Sequence, residues 1–108
     1  MTAPNAVIFG VSGIRLTSDE RAFLREADPL GFILFGRNCV NAGDIRRLTA
    51  DLRDALGRDD APVLIDQEGG RVMRLRPPDW PFAPAARDIG SLYDREPELG
   101  ISTAENVG

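Results

Sequence analysis

Three short apolar runs in the chain lack the alternation of polar and apolar residues that marks a half-exposed strand. Residues 6 to 11 read AVIFGV, residues 31 to 36 read GFILFG, and residues 63 to 65 read VLI. Continuous apolar runs of this length, bounded by residues that favour turns, are typical of strands buried on both faces. The pattern therefore predicts three buried β-strands.

The segment between the first two runs has the signature of a helix start. Thr17 and Glu20 have the spacing of a capping box, in which two side chains satisfy backbone N–H groups of the first turn. The residues that follow predict a helix over about 18 to 27. Because the residue before a proline disfavours the helical conformation, Asp28-Pro29 is predicted to end this helix.

A longer amphipathic segment precedes the third apolar run. Its apolar residues recur three or four positions apart, so they share one face of a helix. They are Ile45, Leu48, Leu52, Ala55 and Leu56. We expect this helix to begin at Asn41 or Gly43 and to end at Gly57, because glycine is common just past the end of a helix.

Strands that alternate with helices and are buried on both faces predict a parallel sheet joined by right-handed crossovers. Ligands of such sheets bind beyond the carboxyl ends of the strands. Gly13, the Arg37-Asn38 pair and Asp66 all follow predicted strands and are expected at that edge. The sequence therefore places a candidate binding site there.

The carboxyl-terminal third of the chain has a different composition. Residues 77 to 84 read PPDWPFAP, and four prolines in eight residues exclude a regular helix or a central strand. This segment is predicted to be a loop anchored by its aromatic side chains. Helices are predicted over residues 84 to 93 and again from Pro97, where proline suits a helix start and where the helix continues to the last residues.

Composition and charge narrow the class of protein. The chain is 43% hydrophobic and 28% charged, which is typical of soluble globular proteins. Its 108 residues are enough for one domain at most. Its formal charge of -4 disfavours nucleic acid or an anionic membrane as partners. The single Cys39 cannot form an internal disulfide. With no apolar stretch near ~18 residues and no leader pattern, a cytoplasmic protein without membrane contact is expected.

The densest charge follows the third apolar run, where residues 63 to 76 read VLIDQEGGRVMRLR. A phosphate site is disfavoured, because neither glycine-rich phosphate motif is present and two acids precede Gly69-Gly70. Asp66 and Glu68 alone would make a weak magnesium site. The same two carboxylates are only two positions apart, so they are poorly placed to flank a sugar ring from opposite faces.

Two interpretations of this stretch remain open from the residues alone. The first is polar recognition, since the carboxylate of Asp66 accepts hydrogen bonds from hydroxyls and the guanidinium of Arg74 donates several. In the second, the stretch is structural: Asp66 caps a loop and the other charged residues form salt bridges at the sheet edge. Those residues are Glu68, Arg71, Arg74 and Arg76.

The same stretch resembles the signature of glycoside hydrolase family 3, and specifically of its bacterial β-N-acetylglucosaminidases. The family pattern I/V-D-Q-E-G-G-R-V-x-R is matched without a gap from Ile65 to Arg74. GFILFGRN at residues 31 to 38 matches the second-strand motif of these enzymes. WPFAPAARDIG at residues 80 to 90 resembles the segment that follows. The resemblance covers nearly the whole chain.

The resemblance implies a cytoplasmic (β/α)8 TIM barrel that acts without metal or cofactor, in two retaining steps. Its substrate would be terminal, β-linked N-acetylglucosamine, as in the muropeptides of peptidoglycan recycling. A barrel of this kind needs ~250 residues. Residues 1 to 108 would therefore be an incomplete amino-terminal portion that holds roughly the first three βα units.

The resemblance also assigns roles to particular residues. It implies that Asp66 and Arg74 contact the substrate, whereas Glu68 and Arg71 are interpreted as structural. Gly69-Gly70 would allow a backbone geometry closed to other residues. The family's aspartate nucleophile and acid/base histidine are expected beyond residue 108, and the chain contains no histidine at all.

Two hypotheses follow for the chain as a whole. We expect it to be the amino-terminal part of a β-N-acetylglucosaminidase whose remaining barrel strands, and with them its catalytic residues, lie further along. The alternative is a non-catalytic remnant that binds sugar weakly or pairs with a separate carboxyl-terminal half. Three parallel strands alone would leave an uncovered sheet edge and uncovered apolar faces, which disfavours the alternative.

Overall fold

The structure, a computed structural model, describes residues 3–108. The chain divides into two compact units, Met1–Asp66 and Gln67–Gly108. The first unit contains, in chain order, β1 (Asn5–Phe9), α1 (Ser18–Ala27), β2 (Pro29–Leu34), a short 3₁₀ helix (Gly36–Asn38), α2 (Ala42–Leu56) and β3 (Val63–Ile65). The second contains β4 (Gln67–Gly69), β5 (Val72–Met73), α3 (Ala86–Arg95) and α4 (Pro97–Val107). The α/β class and the predicted order of the first unit are confirmed.

The three strands of the first unit form one parallel sheet in the order β1-β2-β3. Phe32 at the centre of the sheet pairs with Phe9 on one side and with Val63 on the other. At the carboxyl end, Leu34 pairs with Ile65. The parallel pairing that alternating strands and helices predicted is therefore present.

The predicted bounds of the first two strands were wrong by two residues at one or both ends. β2 begins at Pro29 rather than Gly31, because Asn5 donates a backbone hydrogen bond of 2.8 Å to Asp28 and extends the pairing. Proline is tolerated as the first residue of a strand, where its missing N–H is not needed. β1 ends at Phe9, because the carbonyl of Val11 accepts side-chain hydrogen bonds instead of joining the ladder.

The prediction that all three strands are buried on both faces was also wrong. The helices cover one face of the sheet, where the side chains of Phe32 and Leu34 join the core with leucines of α1 and α2. On the alternate positions of the outer strands, Ile8 is 36% exposed and Leu64 is 46% exposed. Within the described residues, the second face of the sheet is thus apolar and open to solvent.

α1 begins with the predicted capping box. Thr17 Oγ1 accepts a hydrogen bond of 3.1 Å from the Glu20 N–H, and Glu20 Oε1 accepts one of 3.0 Å from the Thr17 N–H. Partial burial acts to raise the pKa of Glu20, but hydrogen bonds donated by Ser12 and Thr17 outweigh it and hold the pKa below its ordinary value. The ionised form therefore stabilises the fold above the ordinary glutamate pKa, and this contribution is lost as the pH falls through the lowered one.

α2 is the longest helix and agrees with its prediction at both ends. Asn41 caps its start by accepting a 2.8 Å hydrogen bond from the Asp44 N–H, and Gly57 ends it with a φ of 69°. Leu48 and Leu52 are both fully buried. The helical face predicted from apolar spacing is therefore the face that packs on the sheet.

The second unit combines a small antiparallel pair, β4 with β5, and the two helices α3 and α4. Both helices were predicted, and residues 77–84 contain neither helix nor strand, as the prolines require. The β4-β5 pair was not predicted, because strands of three and two residues are too short to show a periodic pattern. Among residues 3–108 no helix is both long enough and apolar enough to span a membrane.

The expectation that both aromatic residues anchor the proline-rich loop holds only in part. Trp80 is partly buried, whereas Phe82 is 68% exposed. The neighbouring Ala83 carbonyl accepts a hydrogen bond of 2.9 Å from the Gly70 N–H, which turns that residue toward the β4-β5 pair. Of the two aromatic side chains in this loop, only Trp80 is therefore partly covered by the rest of the chain.

Candidate functional site

In the first unit, the candidate residues lie at the carboxyl edge of the parallel sheet, where Asn38 joins two loops. Its side chain is fully buried. Nδ2 donates to the carbonyls of Val11 at 3.1 Å and Gly13 at 2.6 Å, and Oδ1 accepts from the Phe35 N–H at 3.0 Å. An amide supplies two donors and an acceptor on one planar group, which suits this position. The structure thus brings Gly13 and Asn38 together, as predicted.

Arg37 lies beside Asn38 at the same edge. Its Nε donates a 2.9 Å hydrogen bond to the Val11 carbonyl, the same oxygen that Asn38 contacts. The guanidinium carbon lies 4.9 Å from the centre of the Phe35 ring, within range of a cation–π interaction. Two side chains that follow β2 therefore hold the loop that follows β1.

Asp66 directly follows β3 and is partly buried. Because Ile65 pairs with Leu34 in the parallel sheet, Asp66 emerges at the same edge as the residues that follow β2. The predicted position of this carboxylate at a strand end is confirmed. Asp66 is the last residue of the first unit, whereas Arg74 belongs to the second.

In the second unit, the candidate residues follow the Gly69-Gly70 turn between β4 and β5. Gly69 has a φ of 88° and Gly70 a φ of 61°, both in the region that favours glycine. A Cβ on Gly69 would overlap the carbonyl oxygen of Pro84, and one on Gly70 would lie 2.8 Å from the Cβ of Ala85. The prediction that these two glycines allow a backbone geometry closed to other residues is confirmed.

Arg74 follows β5 and is partly buried, and its backbone is held by the side chain of Gln67. Oε1 of Gln67 accepts hydrogen bonds of 3.0 Å from the N–H groups of Arg74 and of Leu75. Its Nε2 donates a 2.9 Å hydrogen bond to the Leu75 carbonyl. We did not predict this role of Gln67, because a contact across seven or eight residues leaves no periodic signal and only the motif itself marks the residue.

The two charged residues interpreted as structural, Glu68 and Arg71, are both exposed. Nowhere in residues 3–108 do three or more histidine, cysteine, aspartate or glutamate side chains cluster closely enough to hold a metal ion. The carboxylate of Asp66 offers hydrogen-bond acceptors, and the guanidinium of Arg74 offers donors.

Comparison with known proteins shows a consistent similarity to bacterial hexosaminidases. A Beta-hexosaminidase of Bordetella avium is 36% identical over 105 residues, which span 97% of this chain and 30% of that protein. The crystal structure of NagZ from Neisseria gonorrhoeae in complex with N-trifluoroacetyl-D-glucosamine superimposes with a TM-score of 0.78 at 31% identity, over 95% of this chain and 30% of that chain.

A third similar structure is that of a glycoside hydrolase family 3 β-N-acetylglucosaminidase from a Paenibacillus species. It matches 77% of this chain and 16% of that chain, with a TM-score of 0.66 at 29% identity. No protein-family model matches the chain. The chain is thus similar, over almost all of its length, to the amino-terminal part of these enzymes, and it spans about 30% of the length of the relatives.

The Gly69 turn yields a prediction with an internal control. Gly69→Ala should lower the free energy of unfolding by about 1 to 3 kcal/mol or more, because alanine is strained at positive φ and its Cβ would meet Pro84. Gly90→Ala should raise it by roughly 0.5 to 1 kcal/mol, since Gly90 lies inside α3 with open space around it. Urea denaturation of the parent, Gly69→Ala and Gly90→Ala proteins measures both changes. A Gly69→Ala protein as stable as the parent would contradict the assigned turn.

Proposed function

We propose that residues 1 to 108 form the amino-terminal portion of a (β/α)8 barrel domain that hydrolyses terminal, β-linked N-acetylglucosamine. The observation that carries this proposal is the 36% identity to a Beta-hexosaminidase across 97% of the chain. The gap-free motif from Ile65 to Arg74 lies within that match. The intact protein is therefore proposed to be a glycoside hydrolase.

The open face of the parallel sheet supports a barrel. Ile8 and Leu64 are apolar, point away from the helices and are exposed in this chain. In a (β/α)8 barrel the inner face of every strand is covered by side chains of the other strands, and the helices pack outside. Five further βα units would cover these residues and remove the exposed edges of the sheet.

The proposed substrate contacts are Asp66 and Arg74. A carboxylate that follows a barrel strand can accept hydrogen bonds from two neighbouring sugar hydroxyls, and a guanidinium donates to several oxygens at once. The similar Neisseria structure holds N-trifluoroacetyl-D-glucosamine, an N-acylated glucosamine. That ligand supports the same class of sugar for this chain.

Catalysis itself is assigned to the part of the barrel beyond residue 108. The chain has no histidine, so a histidine acid/base cannot come from it. A retaining glycosidase also needs a carboxylate nucleophile and forms a glycosyl-enzyme intermediate that water then hydrolyses. Asp66 is proposed to bind the sugar and is not the nucleophile. We extend the proposal to muropeptides as substrates, to peptidoglycan recycling in the cytoplasm and to metal-free chemistry.

The second candidate function is a non-catalytic fragment that binds sugar weakly or complements a separate carboxyl-terminal half. The observation that favours it is the division of these 108 residues into two compact units with a packed core in the first. The exposed apolar face of the sheet counts against an independent role.

Activity separates the two functions. The protein expressed from Met1 to the end of its reading frame should release the chromophore from a chromogenic β-N-acetylglucosaminide, whereas residues 1 to 108 alone should not. A reading frame that stops after Gly108, or a longer protein without turnover, would contradict the proposed function. Turnover by residues 1 to 108 above a buffer blank would contradict the location of the catalytic residues.

The contacts of Asp66 and Arg74 are tested in the same full-length protein. Asp66→Ala and Arg74→Ala should each lower kcat/KM by roughly 10- to 150-fold, because a hydrogen bond to a charged group contributes about 1.5 to 3 kcal/mol. Asp60→Ala is the matched control, since it removes an exposed carboxylate from the loop before β3, at the opposite end of the strand. An unchanged kcat/KM in either test variant would refute that contact.

A further inference from the structure

We infer that Gln67 is a positioning residue, which fixes the backbone of Arg74 so that its guanidinium reaches the sugar. The inference rests on the proposed function, because Arg74 is a proposed substrate contact. It adds a residue whose side chain acts through another residue rather than on the substrate. The observations that carry it are three hydrogen bonds within the second unit.

Gln67 acts where the β4-β5 pairing ends. In the antiparallel pair Gln67 lies opposite Met73, the last residue of β5. Beyond Met73, residues 74–76 belong to neither a strand nor a helix. The amide of Gln67 then takes the place of a pairing strand, since it accepts from two successive backbone N–H groups and donates to the carbonyl of the second residue, Leu75.

This arrangement requires an amide in particular. One planar group must present an acceptor to the N–H groups of Arg74 and Leu75 and a donor to the Leu75 carbonyl. A carboxylate of the same shape has acceptors only, and it would place its charge 2.9 Å from that carbonyl oxygen. Gln67→Glu therefore breaks the donating half of the contact. Because the Leu75 carbonyl repels its charge, it also moves the acceptor away from the N–H groups of Arg74 and Leu75, while the volume of the side chain is preserved.

The contact bears directly on Arg74, because the backbone N–H of Arg74 donates one of the three hydrogen bonds. The Gly69-Gly70 turn sets the direction in which the chain returns, and Gln67 fixes the position of the returning backbone at Arg74 and Leu75. Displacing a substrate-binding group by about 1 Å can cost on the order of 100-fold in rate. An untethered backbone at residue 74 is therefore expected to weaken the proposed sugar contact.

A double-mutant cycle in the full-length protein tests the inference, with a chromogenic β-N-acetylglucosaminide as the substrate. Gln67→Glu should lower kcat/KM by about ten-fold or more, equivalent to about 1.4 kcal/mol. In the Arg74→Ala background the same substitution should change kcat/KM by less than about two-fold, because the group that Gln67 positions is already absent. Glu68→Gln is the matched control, since it is the reverse isosteric exchange at the adjacent exposed residue.

Two further readouts distinguish positioning from general destabilisation. The ratio of kcat/KM between the parent and Gln67→Glu should fall as the pH is lowered toward the ordinary glutamate pKa of about 4.3. The reason is that a protonated carboxyl regains a hydrogen-bond donor. Amide hydrogen exchange at Arg74 and Leu75 should accelerate in Gln67→Glu, while that of α2 stays unchanged.

Each outcome has a defined meaning. A parent protein without turnover overturns the proposed function, and this inference with it. A parent with turnover whose kcat/KM is unaffected by Gln67→Glu overturns this inference alone. The same conclusion follows if Gln67→Glu costs as much in the Arg74→Ala background as in the parent, because Gln67 would then act independently of Arg74.

Discussion

Parallel pairing of three strands is the constraint on which the candidate site depends. Strands that run in the same direction all end at one edge of the sheet, so the residues that follow them are collected there whatever the sequence of the connecting helices. The pairing of Leu34 with Ile65 puts Asp66 at that edge. Asn38, the fully buried last residue of the 3₁₀ helix that follows β2, ties the loop that follows β1 to this edge through the carbonyls of Val11 and Gly13.

Two side-chain amides stabilise the chain at the points where backbone ladders stop. Asn38 holds the loop that follows β1, and Gln67 holds the residues that follow β5. In both places backbone N–H or C=O groups lose their strand partner, and an amide can satisfy donors and acceptors at once. The Gly69-Gly70 turn brings β5 back beside β4, because its positive φ values reverse the chain within two residues.

Local signals predicted the helices well, because a helix start or end depends on a few neighbouring residues. Thr17 and Gly57 are examples, and both have the predicted role in the structure. The strand bounds depend on distant partners: β1 ends early because side chains 26 and 27 residues away occupy the Val11 carbonyl. Burial on both strand faces was predicted wrongly, because the helices cover one face of the sheet and leave Ile8 and Leu64 on the other face exposed. For the site, Asp66 was placed by strand order, whereas the role of Gln67 depends on a contact with no periodic signal.

The central claim is that this segment contributes sugar contacts to a larger hydrolase, and a crystal structure tests it most directly. The crystal would contain the protein expressed from Met1 to the end of its reading frame, soaked with N-acetylglucosamine. The account predicts a closed barrel in which the carboxylate of Asp66 and the guanidinium of Arg74 each lie about 2.7 to 3.2 Å from oxygen atoms of the sugar. A bound sugar that neither side chain reaches would contradict it.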